Sequence, residues 1–201
     1  MNLYLRLFRS LLRGWIAPRI SPFDIAESYF RVWVNDIDAF GHMNNGRYMQ
    51  IMDAARVEWM VRCGVGAAMW RHRWGAIVGG GMMRYRHSLH VVQRYCVRTR
   101  LIFWDARWFY LEHTFVDDNE RCVAAGITRA ALRERTGWVG TARVVQAVAP
   151  GAASLPEPSF LRDWLSAEER IFDDARGLAV SLPGRGSQRV SPDKPDRELV
   201  Q

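Results

Sequence analysis

The chain has 201 residues, nearly half of them hydrophobic, with a formal net charge of +7. That length accommodates one well-buried core plus an extra tail and is short for two domains, and the composition excludes wholesale disorder. The positive excess is carried by arginine, Lys194 being the one lysine; it suits a phosphate-rich ligand, an anionic surface or nucleic acid, and equally a GC-rich genome.

In chain order, residues 1–20 set Leu3, Leu5, Leu7, Phe8, Leu11, Leu12, Trp15 and Ile16 among Arg6, Arg9, Arg13 and Arg19, with no acid before Asp24. This predicts a basic, apolar helix that lacks the long apolar run and cleavage site of a secretory signal. It is suited to peripheral contact with an anionic membrane, or to packing on the domain or a partner subunit. No stretch reaches the ~20 apolar residues that span a bilayer. Residues 28–34 read as a first strand, and residues 35–46 as a loop dense in turn and capping residues. Over residues 47–62, Tyr48, Ile51, Met52, Ala55 and Trp59 recur at helical spacing, with Asn44 or Asn45 as N-cap and Gly64 as stop.

Gly79, Gly80 and Gly81 are expected to break the chain. Strands follow at 82–92, 95–104, 108–116 and 121–133, with a tight turn at Asp105–Ala106, a hairpin turn at 117–120 and a last short strand near 138–144. One strand, a long buried helix and an antiparallel meander make an α+β architecture. Beyond Ala147 a short amphipathic helix is expected at 160–175, and residues 184–201 read as a polar, mobile tail. The organisation is thus a leader (1–22), a domain (23–147) and an extension (148–201).

Cys63, Cys96 and Cys122 are odd in number and form no CxxC pair, so neither a disulfide framework nor a metal site is expected, and a reducing cytoplasm fits best. The five histidines make no ligand pattern. Bulky side chains such as Trp59, Met60, Met69, Trp70, Trp74, Met82 and Met83 suit an apolar pocket or a core equally.

The chemistry concentrates in Asp36-x-Asp38-x-x-Gly41-His42-x-Asn44-Asn45-x-x-Tyr48. This places a carboxylate a few residues before a helix N-terminus, where unpaired N–H groups and the positive dipole end can polarise a bound carbonyl and hold its oxyanion. The carboxylate can attack that carbonyl or activate a water. Gly41 lets the backbone approach closely, and the asparagines cap or fix the loop. Singly, each residue has a structural reading: Asp36 and Asp38 as turn caps, His42 as a packed loop histidine, Asn44 and Asn45 as helix caps, Tyr48 as core. Their joint spacing is what is specific.

That spacing resembles the 4-hydroxybenzoyl-CoA thioesterase-like branch of the hot-dog superfamily, through Asp38, Gly41, His42, Asn44, Asn45 and Tyr48 without a gap. It is followed by the helix such proteins carry, here with Asp53-Ala-Ala-Arg56-Val-Glu58-Trp59, and, more narrowly, the stretch 96–112 is similar to thioesterase-like proteins related to the animal "thioesterase superfamily member" group. The resemblance implies a hot-dog fold, a long central helix wrapped by a curved antiparallel sheet, and hydrolysis of an acyl-CoA or acyl-carrier-protein thioester in lipid metabolism. It implies Asp38 as catalytic carboxylate, the N–H near Asn45 polarising the carbonyl, and His42 and Asn44 shaping the site, with Gly41, Asn44 and Tyr48 against the substrate. It implies no cofactor beyond the coenzyme A moiety of the substrate, and a homodimer or dimer of dimers with each site at the subunit interface. Arg84, Arg86, Arg94 and Arg98 are candidates for the nucleotide phosphates, and Asp53, Arg56 and Glu58 for an internal ion pair.

A non-catalytic acyl-thioester binder docked on a membrane is the main alternative. Hot-dog hydratases place the histidine five residues after the acid with a proline between; here His42 follows Asp38 by four and no proline intervenes. Nucleic acid is not expected as a partner, since a buried sheet explains the alternating aromatics of residues 98–110.

Overall fold

A computed structural model describes residues 3–180 of the chain. Helix α1 (Leu3–Ile16) is followed by strand β1 (Ala26–Arg31), a 3-10 turn (Val34–Asp36), and helices α2 (Asn45–Arg62) and α3 (Val65–His72). Strands β2 (Gly75–Tyr85), β3 (Arg94–Trp104), β4 (Phe109–Asp117), β5 (Cys122–Glu134) and β6 (Gly137–Val139) come next, then helices α4 (Thr141–Val148) and α5 (Ser159–Val180). The chain through Pro158 makes one compact unit, and the second begins at Ser159, the first residue of α5. The expected tail at 184–201 lies outside the described residues.

The sheet is antiparallel throughout, in the order β1-β3-β4-β5-β2, with β6 paired to β5. Helix α2 lies on it, burying Tyr48, Ile51, Met52, Ala55 and Trp59, the positions whose helical recurrence marked the apolar face. At one end Tyr48, Ile51 and Met52 pack with Val97, Phe115 and Val123. At the other Trp59 packs with Leu101, Leu111 and Val145. A polar layer separates the two: Thr99 lies between Val97 and Leu101 on β3, His113 between Phe115 and Leu111 on β4, and Arg56 before Trp59 on α2. His113 is fully buried and its Nδ1 lies 3.0 Å from the Thr99 hydroxyl. Burial and the nearby Arg56 charge push the imidazole down to about 3, so it is neutral at ordinary pH.

Several expectations need correction. Gly79–Gly81 do not break the chain but lie inside β2, where the register against β5 shifts between Val78 and Gly80. A Cβ on Gly79 would lie 2.3 Å from the Trp108 ring, so glycine is what lets strand and indole meet. The strand expected at 82–92 ends at Tyr85, and residues 86–93 form a loop instead. The strand expected at 138–144 stops at Val139, and α4 follows. Val144 and Val145 pack in the core from that helix, tertiary burial overriding their β propensity. Helix α3 was not foreseen. The first strand, expected at 28–34, begins two residues earlier and ends three earlier, at Ala26–Arg31, and the last helix extends to Ser159–Val180.

Candidate active site

Between the 3-10 turn and α2 the chain makes a closed loop. Ile37 and Met43 pair in an isolated bridge, the Asp38 N–H donates to the His42 carbonyl at 2.9 Å, and the Gly41 N–H donates to the Asp38 carbonyl at 3.1 Å. The tip therefore spans Asp38 to Gly41. One Asp38 oxygen accepts the Phe40 N–H at 2.9 Å, an Asx turn. Gly41 has φ +79° and open space where a Cβ would go, so backbone conformation, rather than close approach of a neighbour, requires glycine there.

The base of the loop is anchored on two sides. The Met43 N–H donates to the Leu89 carbonyl at 2.8 Å, and the Asn44 N–H to the Asp36 carbonyl at 2.7 Å. Asp36 is far more than a turn residue. It is fully buried, accepts the Trp33 N–H at 2.8 Å, and forms an ion pair with Arg6 of α1, itself buried; Arg47 stands 3.7 Å from its other oxygen. The spacing of the loop motif contains no signal for this contact, because Arg6 lies thirty residues away on another element.

Asn44 is the N-cap of α2, its side chain accepting the Gly46 N–H at 2.9 Å, while its carbonyl accepts from Arg47. The Asn45 N–H is not among the groups this cap uses, and the first N–H groups of a helix have no intrahelical partner. The Tyr85 hydroxyl donates to the Asn45 carbonyl at 3.0 Å.

An open cleft of about 410 Å³ joins these pieces; Asp38, His42, Asn45 and Tyr48 all line it. Four of the six residues singled out by the sequence thus meet in one place, and the other two, Gly41 and Asn44, shape the loop and helix start. The His42 ring is half-buried and packs edge-on against His90, centroids 5.2 Å apart. Tyr48 is buried between Tyr85 and Phe115, at 5.1 Å from each, and burial raises its hydroxyl above the usual tyrosine range. The structure adds Tyr85, His87 and Ser88 to the cleft lining; the strand expected at 82–92 left them out of the site, and the sequence carries no signal that brings them to the loop.

Of the arginines considered for phosphate, Arg86 lines this cleft and Arg84 is exposed on β2. Arg94 faces a separate hollow beside α1. Arg98 is committed to Glu27 at 2.9 Å and Glu120 at 2.8 Å. Asp53 and Arg56 do form an ion pair, but Glu58 stands apart, buried near Ser28, with burial raising its carboxyl above the usual range.

A second, apolar cavity of about 270 Å³ lies further along α2, lined by Trp59, Met60, Leu101, Phe109, Leu111 and Val145 among others. Asn45 and Asp53, which border the cleft and the cavity respectively, are about 12 Å apart along the helix at its usual rise. Of the other bulky residues, Trp74 is core and Trp70 is 89% exposed. Among the described residues no cluster of His, Cys, Asp and Glu is arranged to hold a metal ion, and no helix is long and apolar enough to cross a membrane.

The family model of the thioesterase-like superfamily matches residues 32–165, and the chain belongs to that superfamily. Among curated proteins it is similar to Protein THEM6 of Xenopus laevis, 31% identical over 170 residues covering 83% of this chain and 80% of that protein. Protein THEM6 of Drosophila melanogaster is 32% identical over 138 residues, 67% of this chain and 68% of its own length. Among solved structures it is similar to the YbaW probable thioesterase from Escherichia coli, with a TM-score of 0.58 at 15% identity over 62% of this chain and 96% of that one. The BH1999 gentisyl-coenzyme A thioesterase gives 0.53 at 20% identity, over 61% and 98%. The SAV2348 protein from Staphylococcus aureus, solved in complex with CoA, gives 0.57 at 10% identity, over 72% and 96%. The fold is the hot-dog fold: one long helix held by a curved antiparallel sheet.

Proposed function

We propose that the protein hydrolyses the thioester of an acyl-CoA, or of an acyl-carrier protein, to the free acid and the thiol. The observation that carries this reading is the meeting of the Asp38 carboxylate and the N-terminus of α2 in one open cleft. The α2 N-terminus would polarise the carbonyl and take up the developing oxyanion through the N–H near Asn45. Asp38 would either attack the carbonyl carbon directly or take a proton from an attacking water, the thiolate leaving in each case. Its second oxygen, which the Asx turn does not use, is the one suited to either role. Gly41, Asn44 and Tyr48 set the substrate-facing backbone, and His42 borders the reacting group. No cofactor beyond the coenzyme A moiety is required, and Arg86 and Arg84 are the arginines placed to meet its phosphates. The apolar cavity along α2 suits the acyl group.

The membership of the superfamily supports this reading, as do solved neighbours named as thioesterases and one bound to CoA. Strand β2 supports a homodimer: it is eleven residues long, among the described residues it pairs with β5 alone at the end of the sheet, and none of its residues is buried, an edge of the kind a second chain covers. A cytoplasmic setting and a role in lipid metabolism accompany the reading.

The alternative, acyl-thioester binding without cleavage, is favoured by one observation, the use of an Asp38 oxygen in holding the loop tip. Release of free thiol from short-chain, long-chain and aromatic acyl-CoAs separates the two. Turnover of at least one class is the expected result; saturable binding with no thiol release from any would leave the binder.

A further inference from the structure

Helix α1 sits on the domain with its polar side inward. Arg6 and Ser10 are 3% and 1% exposed, and Gly14 is buried so closely that a Cβ there would lie 2.8 Å from the Val61 Cβ of α2. Arg13 donates to the Tyr29 carbonyl of β1. The opposite face is apolar and outward: Tyr4, Phe8, Trp15 and Ile16 are 78, 61, 76 and 73% exposed, with Leu5, Leu11 and Leu12 beside them. A soluble helix places these faces the other way round, and a contiguous apolar patch of this kind marks an interaction surface.

The charge around the patch selects its occupant. Helix α1 contains no acid; Arg6 is buried against Asp36 and Arg13 faces β1, so the exposed cations beside the patch are Arg9 and Arg19. A basic, amphipathic helix with aromatic rings near both ends (Tyr4 and Trp15) fits the boundary between anionic headgroups and acyl chains. We infer that the outward face of α1 docks the protein on the surface of an anionic lipid bilayer, the helix lying in the plane of the interface. The buried Arg6–Asp36 pair carries this contact to the loop that holds Asp38; this consequence rests on the thioesterase reading, whereas the docking itself does not.

The test is flotation of the full chain with vesicles of phosphatidylcholine alone and of phosphatidylcholine with an equal part of phosphatidylglycerol, beside the double variant Phe8→Gln, Trp15→Gln. Wild type is expected to float with the anionic vesicles, less with the neutral ones, and less again at high salt. The double variant should need at least tenfold more lipid, with an unchanged melting temperature and unchanged hydrolysis of a soluble short-chain acyl-CoA. Turnover is read separately, so its absence bears only on the thioesterase reading. Wild type that stays with neither vesicle, or a variant that floats as well as wild type, overturns the proposal. A variant that does not bind lipid differently but halves the mass on size-exclusion chromatography also overturns it, assigning the face to a second copy of the chain.

Discussion

At the scale of single residues, the loop before α2 concentrates the consequences. Asp36 and Arg6 are both buried and form an ion pair, and removing one member of such a pair leaves an uncompensated charge. Asp36→Ala should therefore destabilise the protein by about 3 kcal/mol, read as a lowered denaturant midpoint. An unchanged midpoint would mean that the ion pair contributes nothing. Gly41→Ala has room for its methyl but not the right backbone region; it should cost about 1 kcal/mol and lower turnover by displacing the loop tip. Wild-type turnover in that variant would show that the tip conformation is not needed. His113 gives a pH dependence whose sign is fixed by its depressed value of about 3. The unfolded chain binds a proton near the ordinary histidine range, while the folded chain does not. Its contribution to stability is complete above about pH 6.5 and is lost as pH falls from there toward 3, at about 1 kcal/mol per pH unit. In His113→Leu, that part of the acid sensitivity should flatten; a melting profile with the same slope as wild type would contradict the assignment.

At the scale of elements, the long helix and the three central strands are the parts whose physics is local. Helix α2 announces itself through Tyr48, Ile51, Met52, Ala55 and Trp59, and its N-cap through the pair Asn44 and Asn45, of which Asn44 takes the role, because periodicity and capping act within a few residues. Strands β3 to β5 follow from alternation and from the turn chemistry of Asp105 and of residues 117–120, where Asp105 accepts the Arg107 and Trp108 N–H groups and Asp117 those of Asn119 and Arg121. What the sequence hid was decided by distant partners. The glycines of β2 look like a break until Trp108 is known to pack on Gly79. Thr141 looks like strand until its hydroxyl is found on the Asp105 carbonyl at the start of α4. Gly79→Ala tests this directly: the added methyl must displace the indole or bend β2, at a cost of about 1–3 kcal/mol.

At the scale of the whole molecule, the candidate site was legible to the extent that it lies in one continuous segment. Asp38, His42, Asn45 and Tyr48, close in sequence, line one cleft, whereas the presence there of Tyr85, His87 and Ser88 depends on how β2 ends. The Arg6–Asp36 link and the outward apolar face of α1 were equally beyond a one-dimensional reading. Helical spacing shows that a helix has two faces, and only packing shows which one the domain keeps. The exposed β2 edge gives the remaining prediction: light scattering should return about twice the 23.2 kDa of one chain, or a higher even multiple. A mass of one chain would leave that edge, and the proposed site at a subunit boundary, without a partner.

The most direct test of the account is the hydrolysis rate of Asp38→Asn beside wild type on the best acyl-CoA substrate, with melting temperature and ligand binding measured on the same samples. Asparagine keeps an oxygen for the Phe40 N–H while removing the carboxylate. With Asp38 as the catalytic carboxylate, kcat falls by about a hundredfold or more while folding and binding are retained. A variant as active as wild type would contradict it, and would leave Asp38 as the residue that closes the loop.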